Sequence, residues 1–386
     1  SLPSLTLPDF SSLNLPIPGF SGATPDLSQF NSSYFLDRFD FDLFQDNGDI
    51  LVAAGVRNIV SSALGDDILV SAGKNNVLLG GEGNDIVLGA GKNNTVLGDE
   101  GNDLIFSAGQ SNYIVSGSGK DTILAAGKNN IIAAGADEDI VVALGKTNNI
   151  LTQSGNDIVI GLGANNRISG GDGDDALLAA GESNIFLGGK GNDTIFGIGA
   201  NNTVFGGSGD DWMLAGGTSN TFVDFQGQDT VVSIGARNSV YTFDESDTVV
   251  SFGTLNLINT GEGDDTLTIT DISSMIDAGS GNDTIEAGGM FSIFDASEGD
   301  DTISLGGENN RFIGGSGNDT YKFGDEDFTA YIDNQGDDSS TDALLFGGTV
   351  SQNDIYFARS GENDLEVSIF GGNQEAILEN WYVDEA

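Results

Sequence analysis

Starting at Val60, a large apolar residue returns every nine positions: Leu69, Leu78, Val87, Val96, Ile105, Ile114 and so on to Phe222 and Val231. Two positions before each stands a polar residue whose identity alternates. One set is Asp, at 18-residue intervals without a break from Asp49 to Asp319, sixteen copies in all. The other, halfway between, is Asn from Asn58 to Asn256; it passes through Ser274 and Ser292 and resumes at Asn310. A fixed period of this kind marks a repeat architecture. Each nine-residue unit predicts a Gly-rich turn followed by a three-residue strand, its middle apolar residue pointing inward and its neighbours outward. Two units make one 18-residue coil with a strand on each face. Stacked coils predict an all-β fold, a parallel β-roll or β-solenoid with two sheets around a thin core, capped at both ends. Fifteen or so coils at ~4.8 Å each predict a rod about 70 Å long.

A chain of 386 residues ordinarily suggests two or three domains, but a solenoid grows along one axis and overrides that expectation. Charge changes the picture more. Against 13 basic residues stand 59 acidic ones, a formal charge of −46. A compact fold at that charge repels itself unless cations neutralise it. Disorder is the other way out, but a hydrophobic content of 38% with 23 Phe argues against it. Nucleic acid and anionic membrane surfaces are excluded as partners on charge. No apolar run approaches the length of a membrane span, so membrane insertion is not expected. Cys and His are absent, which removes disulfides, thiol nucleophiles, Cys/His zinc sites and His-based proton transfer. What remains is carboxylate chemistry, and hard oxygen ligands in this number suit Ca²⁺ rather than transition metals. The chain begins without Met or a signal peptide, which reads as a processed or excised form.

Five segments carry a nonapeptide signature: GGEGNDIVL from Gly80, GGDGDDALL from Gly170, GGKGNDTIF from Gly188, GGSGDDWML from Gly206 and GGSGNDTYK from Gly314. They resemble the repeats-in-toxin (RTX) haemolysin-type calcium-binding β-roll, whose signature is G-G-x-G-x-D-x-U-x, and the resemblance runs from residue 48 to about 324. It implies several Ca²⁺ ions between turns of successive coils, held by the motif Asp carboxylates and turn carbonyls. It also implies folding coupled to calcium and export through a type I secretion system. The candidate metal ligands are Asp67, Asp85, Asp103, Asp121, Asp157, Asp175, Asp193, Asp211, Asp229, Asp265, Asp283, Asp301 and Asp319. Asp139 and Asp247 are left out, because Asp137 and Glu245 replace the glycine that precedes the other rungs. About ten ions in the gaps between these turns would bring roughly +20 against the −46.

The two edges are not alike. On the Asp edge Gly falls two and often four residues before the rung, as in Gly81, Gly83 and Asp85. On the Asn edge Gly falls three residues before it, from Gly55 to Gly253, and Lys74, Lys92, Lys128 and Lys146 follow that Gly in four coils. A shifted Gly means a different turn, and a cation beside it opposes metal. Calcium is therefore expected on the Asp edge only. The Asn edge is expected to be a metal-free ladder whose amides hydrogen-bond between coils and to turn backbone. Ligation by the Asn side-chain oxygen is the alternative.

All five Pro lie within the first 25 residues, among Leu5, Leu7, Phe10, Leu15, Ile17 and Phe20, so residues 1–30 read as an extended arm. Residues 31–47, with SSYFLDRFDFDLF at their centre, read as an N-terminal cap to the solenoid of 48–324. Residues 325–386 read as a C-terminal β cap with the alternation of antiparallel strands. This last segment resembles the haemolysin-type calcium-binding-related region that follows β-rolls, in Phe346, Asp354, Ile355, Phe357, Arg359, Leu365, Asn380 and Trp381.

Many outward positions are apolar: Ile68, Val70, Ile86, Leu88, Ile140, Ile158 and Trp212 on one face, Val77, Leu79, Tyr113, Ile185 and Phe205 on the other. Stacked, they form stripes of the kind that marks an interaction surface, or β-branched residues suited to strands and covered by the chain's own arms. The Thr row from Thr230 to Thr320 resembles the flat arrays of ice-binding solenoids, but Thr is also the usual RTX residue there.

Repeats fill the chain, and the Asp residues are too regular to single out a catalytic pair, so no enzyme activity is assigned. The expected function is a secreted, calcium-dependent structural protein, extracellular or on a bacterial surface: a subunit of a surface layer, matrix fibre or adhesin. Its partner would be itself, as a homo-oligomer or filament joined by the N-terminal arm and apolar faces, or other cell-surface or matrix components. The alternative is the non-catalytic RTX module of a larger secreted enzyme such as an epimerase, protease or lipase.

Overall fold

The computed structural model describes residues 40–41, 48–333, 340–347 and 350–382. The chain divides into two units, Ser1–Phe35 and Leu36–Ala386, and everything described belongs to the second. The Pro-rich arm and most of the proposed N-terminal cap lie outside the described residues; Asp40 and Phe41 pair in parallel with Val60 and Ser61.

From Asp49 onward the chain is a parallel β-solenoid of about sixteen 18-residue turns. Pairing is in register at i and i+18, as in Ile68↔Ile86 and Ile86↔Leu104 on one face and Val77↔Thr95 and Thr95↔Tyr113 on the other. Strands that follow Asp run seven residues from Ile50–Val56 to Thr248–Thr254. Strands that follow Asn run six residues from Val77–Glu82 to Thr203–Ser208 and three from Thr221–Val223. The expected three-residue strands are thus too short for most coils. Identical turns stack on one another, so the ladder of hydrogen bonds continues through the corners instead of stopping at each glycine.

The inward pattern is as the alternation predicts. Leu69, Val87, Ile105 and Ile123 from one sheet meet Leu78, Val96, Ile114 and Ile132 from the other, all fully buried. The next inward residue is small, as in Ser71, Ser107, Ala125 and Ala143, which keeps the interior thin. Burying each large side chain stabilises the fold by about 1.5–3 kcal/mol. Outward positions are mostly half-buried by their neighbours in adjacent coils, but Tyr113, Ile140 and Ile158 are exposed.

The two edges turn differently. On the Asn edge the residue before each rung takes a left-handed conformation, as in Asn75 (φ 58) and Asn93 (φ 55). On the Asp edge that role passes to the glycines two and four residues before the rung, as in Gly83 (φ 132) and Gly81 (φ 109).

Beyond the repeat the solenoid does not simply stop. Ala343–Phe346 pairs in parallel with Thr320–Phe323, and Gln374–Glu379 pairs in parallel with Phe328–Asp333. Ile355–Ser360 and Asp364–Ile369 add antiparallel to this last pair. Leu365, Val367, Ala376 and Leu378 thereby join the core.

The Gly column before the Asn edge is tightly stacked, each glycine against the carbonyl of the one before it. A Cβ at Gly163 (φ +135) would lie 1.6 Å from the Gly145 carbonyl oxygen, whereas one at Gly216 would meet nothing within 4 Å. Gly163→Ala should therefore lower stability by roughly 3 kcal/mol, since a side chain in that glycine-only region is strained as well as clashing. Gly216→Ala should be neutral. Denaturant unfolding at saturating calcium measures both; equal effects would contradict this account of the column.

Candidate metal centre

All thirteen Asp residues proposed from the sequence stand in one column on one edge, each no more than 2% exposed. What places them there is a single hydrogen bond. The backbone N–H of each Asp donates to Oδ1 of the Asp one coil later: Asp85 to Asp103 at 2.8 Å, Asp103 to Asp121 at 2.7 Å, Asp175 to Asp193 at 2.8 Å. Asp139 and Asp247 occupy the same column with the same bonds, to Asp157 and Asp265, both at 2.7 Å. The residues that set them apart, Asp137 and Glu245, accept left-handed backbone at φ 72 and 68. The ladder outlasts the repeat, since the Asp319 N–H donates to Asp342 Oδ1 at 2.9 Å across a 23-residue spacing.

With Oδ1 committed, the second oxygen decides the chemistry. Oδ2 of Asp85, Asp103, Asp175 and Asp193 is buried and has no hydrogen-bond partner. In the signature coils it lies against the first motif glycine: a Cβ at Gly80, Gly170 or Gly188 would sit 2.0–2.3 Å from the Oδ2 of Asp85, Asp175 or Asp193. Next to it is the carbonyl oxygen of the following coil, Gly98 or Gly206. Where Ser or Thr replaces that glycine, its hydroxyl bridges to the next carbonyl instead, as Ser116 Oγ does to Ala134 O at 2.6 Å. Buried anionic oxygens without partners, backbone carbonyls beside them and no nitrogen or sulfur ligand form a donor set that fits Ca²⁺. The protein's cations do not supply the missing charge. Among the described residues the ion pairs are those of Lys120, Lys190 and Arg311, all at exposed positions.

The Asn edge uses the same rung with the opposite remainder. Asn76 N–H donates to Asn94 Oδ1 at 3.1 Å, and Asn94 N–H to Asn112 Oδ1 at 3.0 Å, with Ser274 and Ser292 hydroxyls continuing the series. Because a backbone donor claims the oxygen, the other atom must be the amide nitrogen, which donates and cannot ligate a cation. From Asn184 to Asn220 it donates to a glycine carbonyl of the preceding coil, as to Gly163 O at 3.2 Å.

Two features had escaped the sequence reading. The residue before each Asp, usually Asn or Asp, forms an exposed ladder of opposite sense: Asn102 N–H donates to Asn84 Oδ1 of the preceding coil, and Asn192 N–H to Asp174 Oδ1, both at 2.8 Å. Its recurrence as Asn/Asp at an exposed turn position was the available signal. The second is Asp224, a buried acid close to Asp211 and Asp229.

The chain is therefore a parallel β-solenoid with a buried carboxylate ladder along one edge. The profile of the RTX calcium-binding nonapeptide repeat (4 copies) matches residues 62–145, 151–222, 275–289 and 293–324, more than half of the chain, and the protein belongs to that family. RTX repeats bind calcium and are typical of secreted, extracellular bacterial proteins; the repeat domain is structural and non-catalytic in itself. Comparison with curated proteins gave no match. Among the described residues no helix is long and apolar enough to cross a membrane.

Without calcium the ladder should respond to pH. Burial, followed by repulsion from neighbouring acids, pushes Asp103 and Asp139 up to about 8, Asp175 and Asp193 to about 7, and Asp85 to about 6. Folded pKa values above the unfolded 3.8 mean that the fold takes up protons. The stability they contribute is fully present below pH 3.8 and is lost as pH rises through 6 to 8. In EDTA, circular dichroism should show β-structure gained on acidification and lost across that window. A calcium-free spectrum that does not change between pH 4 and 9 would refute this.

Proposed function

We propose that this is a secreted structural protein whose coils are locked by Ca²⁺ on the Asp edge alone, and that it assembles with itself through its outer faces and N-terminal arm. The thirteen Asp residues from Asp67 to Asp319 would hold the ions through Oδ2, with turn carbonyls completing the shell. Bound calcium supplies the positive charge that stacked carboxylates need; the chain's part is to fix their spacing at one coil. Calcium and folding are then one equilibrium.

The observation that supports the assembly reading is the set of apolar columns left on the surface. Leu144 and Leu162 are 38% and 40% exposed in adjacent coils, and on the opposite sheet Leu257, Met275 and Ile293 form a column that is 37–58% exposed. In-register apolar rows of this kind suit contact with a second sheet. The arm, residues 1–30, carries all five Pro and six or more large apolar residues, a composition that favours an extended, preorganised segment able to add to a neighbour. A surface layer, matrix fibre or adhesin, exported by a type I system, is the setting this chemistry suits. The capping roles of residues 31–47 and 325–386 belong to the same reading.

Two outcomes are expected. Asp103→Asn keeps the rung oxygen but puts an amide where Oδ2 stood. It should bind at least one calcium fewer by equilibrium dialysis while raising the midpoint of unfolding in EDTA at pH 8. Unchanged stoichiometry would place the ions elsewhere. Deleting residues 1–30 should leave calcium-dependent folding intact and abolish assembly in sedimentation velocity. If the full chain stays monomeric in calcium at high concentration, self-assembly fails and the reading as an enzyme's RTX module takes its place.

A further inference from the structure

The first position of the nonapeptide faces inward beside the rung carboxylate, and in every other coil from Ser62 to Gly314 it is Gly, Ala, Ser or Thr. Asp224 is the exception. It is 1% exposed, and its Oδ1 accepts from the Phe225 N–H at 2.7 Å and the Gly207 N–H at 3.3 Å. Its Oδ2 has no partner and is turned back toward the preceding coil, against Gly206. A Cβ at Gly206 would lie 1.8 Å from Asp224 Oδ2 and 2.4 Å from Asp211 Oδ2, so the missing side chain is the space both oxygens point into. Asp211 Oδ2 is buried and likewise unpartnered. Asp229, whose Oδ1 accepts from the Asp211 N–H at 2.8 Å, completes a group in which one oxygen of each carboxylate lies within 4.8 Å of the others.

Elsewhere on the edge a gap between coils is bounded by two carboxylates. Here it is bounded by three, all at most 2% exposed, and none of the ion pairs among the described residues reaches them. Three carboxylates in so small a buried volume repel one another unless protons or a cation neutralise them, and a cation that binds there displaces the protons. The donors are all hard anionic oxygens, which select Ca²⁺ or a trivalent lanthanide. Ligand charge count is what grades affinity among such sites. We propose that Asp211, Asp224 and Asp229 form a distinct cation site, tighter than the others on the Asp edge and the first to fill with Ca²⁺. This rests on the reading of the Asp edge as the calcium edge.

The placement of Trp212, next in sequence to Asp211, makes the site observable, because the other Trp of the chain is Trp381. The full chain, stripped of metal, is titrated with Ca²⁺ by calorimetry and with Tb³⁺ under indole excitation. One Ca²⁺ should bind at least about tenfold more tightly than the rest, and the first equivalent of Tb³⁺ should give sensitised emission that Trp212→Phe removes. Asp224→Gly, the motif's own residue, should abolish the tight step and leave the weaker ones. Asp224→Asn, which keeps the oxygen that accepts from Phe225 and Gly207, should do the same and guards against a folding defect. If both variants retain the tight step, or if the native chain binds all its calcium in one class, the distinct site is refuted and the calcium edge stands. If the native chain binds no calcium, the reading of the whole edge fails with it.

Discussion

Every coil depends on one hydrogen bond, that from a rung residue's backbone N–H to the side-chain oxygen of the equivalent residue one coil later. The bond fixes the spacing between coils at the turn, where strand pairing alone is weakest. It also buries the side chain that makes it, since the acceptor must sit inside the corner to face the amide. A carboxylate held there has one oxygen satisfied and the other stranded. The rung thus gives the fold its register and at the same time creates the charge problem that a cation solves. Shape and metal requirement have a common origin.

The two edges show how much follows from one atom. Asn and Asp place an identical oxygen against an identical amide, at 2.9–3.1 Å and 2.6–3.0 Å. The remaining atom is a neutral donor on one side and an anionic acceptor on the other. From Asn184 to Asn220 the donor reaches a carbonyl of the preceding coil, as Asn184 does at Gly163, and where it finds none, as at Asn76, it leaves no charge behind. The anion in the signature coils faces carbonyl oxygens and other carboxylates instead. Asp271 shows the converse: an acid on the Asn edge, it is held by Ser251 Oγ and Asn256 Nδ2, both at 2.9 Å, because that edge is rich in donors.

The period, the inward stripe, the parallel stacking and the difference between the edges could all be read from the sequence, because each is imposed by one residue type at one spacing. The two glycine patterns, at Gly83 and at Gly91, announced two turns, and two turns are present. Strand length was not legible, since it depends on how well neighbouring corners stack and not on any residue within the strand. The ladder through Asn84, Asn102 and Asp174 was hidden by its variability; Asn, Asp and Ser serve equally as acceptors there. Asp224 was hidden among 59 acids, and only its inward position gives it meaning. The step from Asp319 to Asp342 was lost because the spacing widens to 23 while the bonding persists.

The rung bond has a direction. A rung residue's amide is satisfied by the coil that follows it, never by the one before, while the exposed ladder beside it runs the other way. The two ends of the stack are therefore chemically different, as the ends of a helix are. Stripping a coil from the C-terminal end takes the side-chain acceptor from the rung N–H of the coil beneath. Stripping one from the N-terminal end relieves a carboxylate of its amide and opens it to water, which solvates it well. Fraying therefore breaks the rung differently at the two ends: a donor loses its acceptor at the finish, and an acceptor loses its donor at the start. Asp342 supplies one more acceptor after the regular repeat has ended, so the last rung N–H of the column, that of Asp319, is still met.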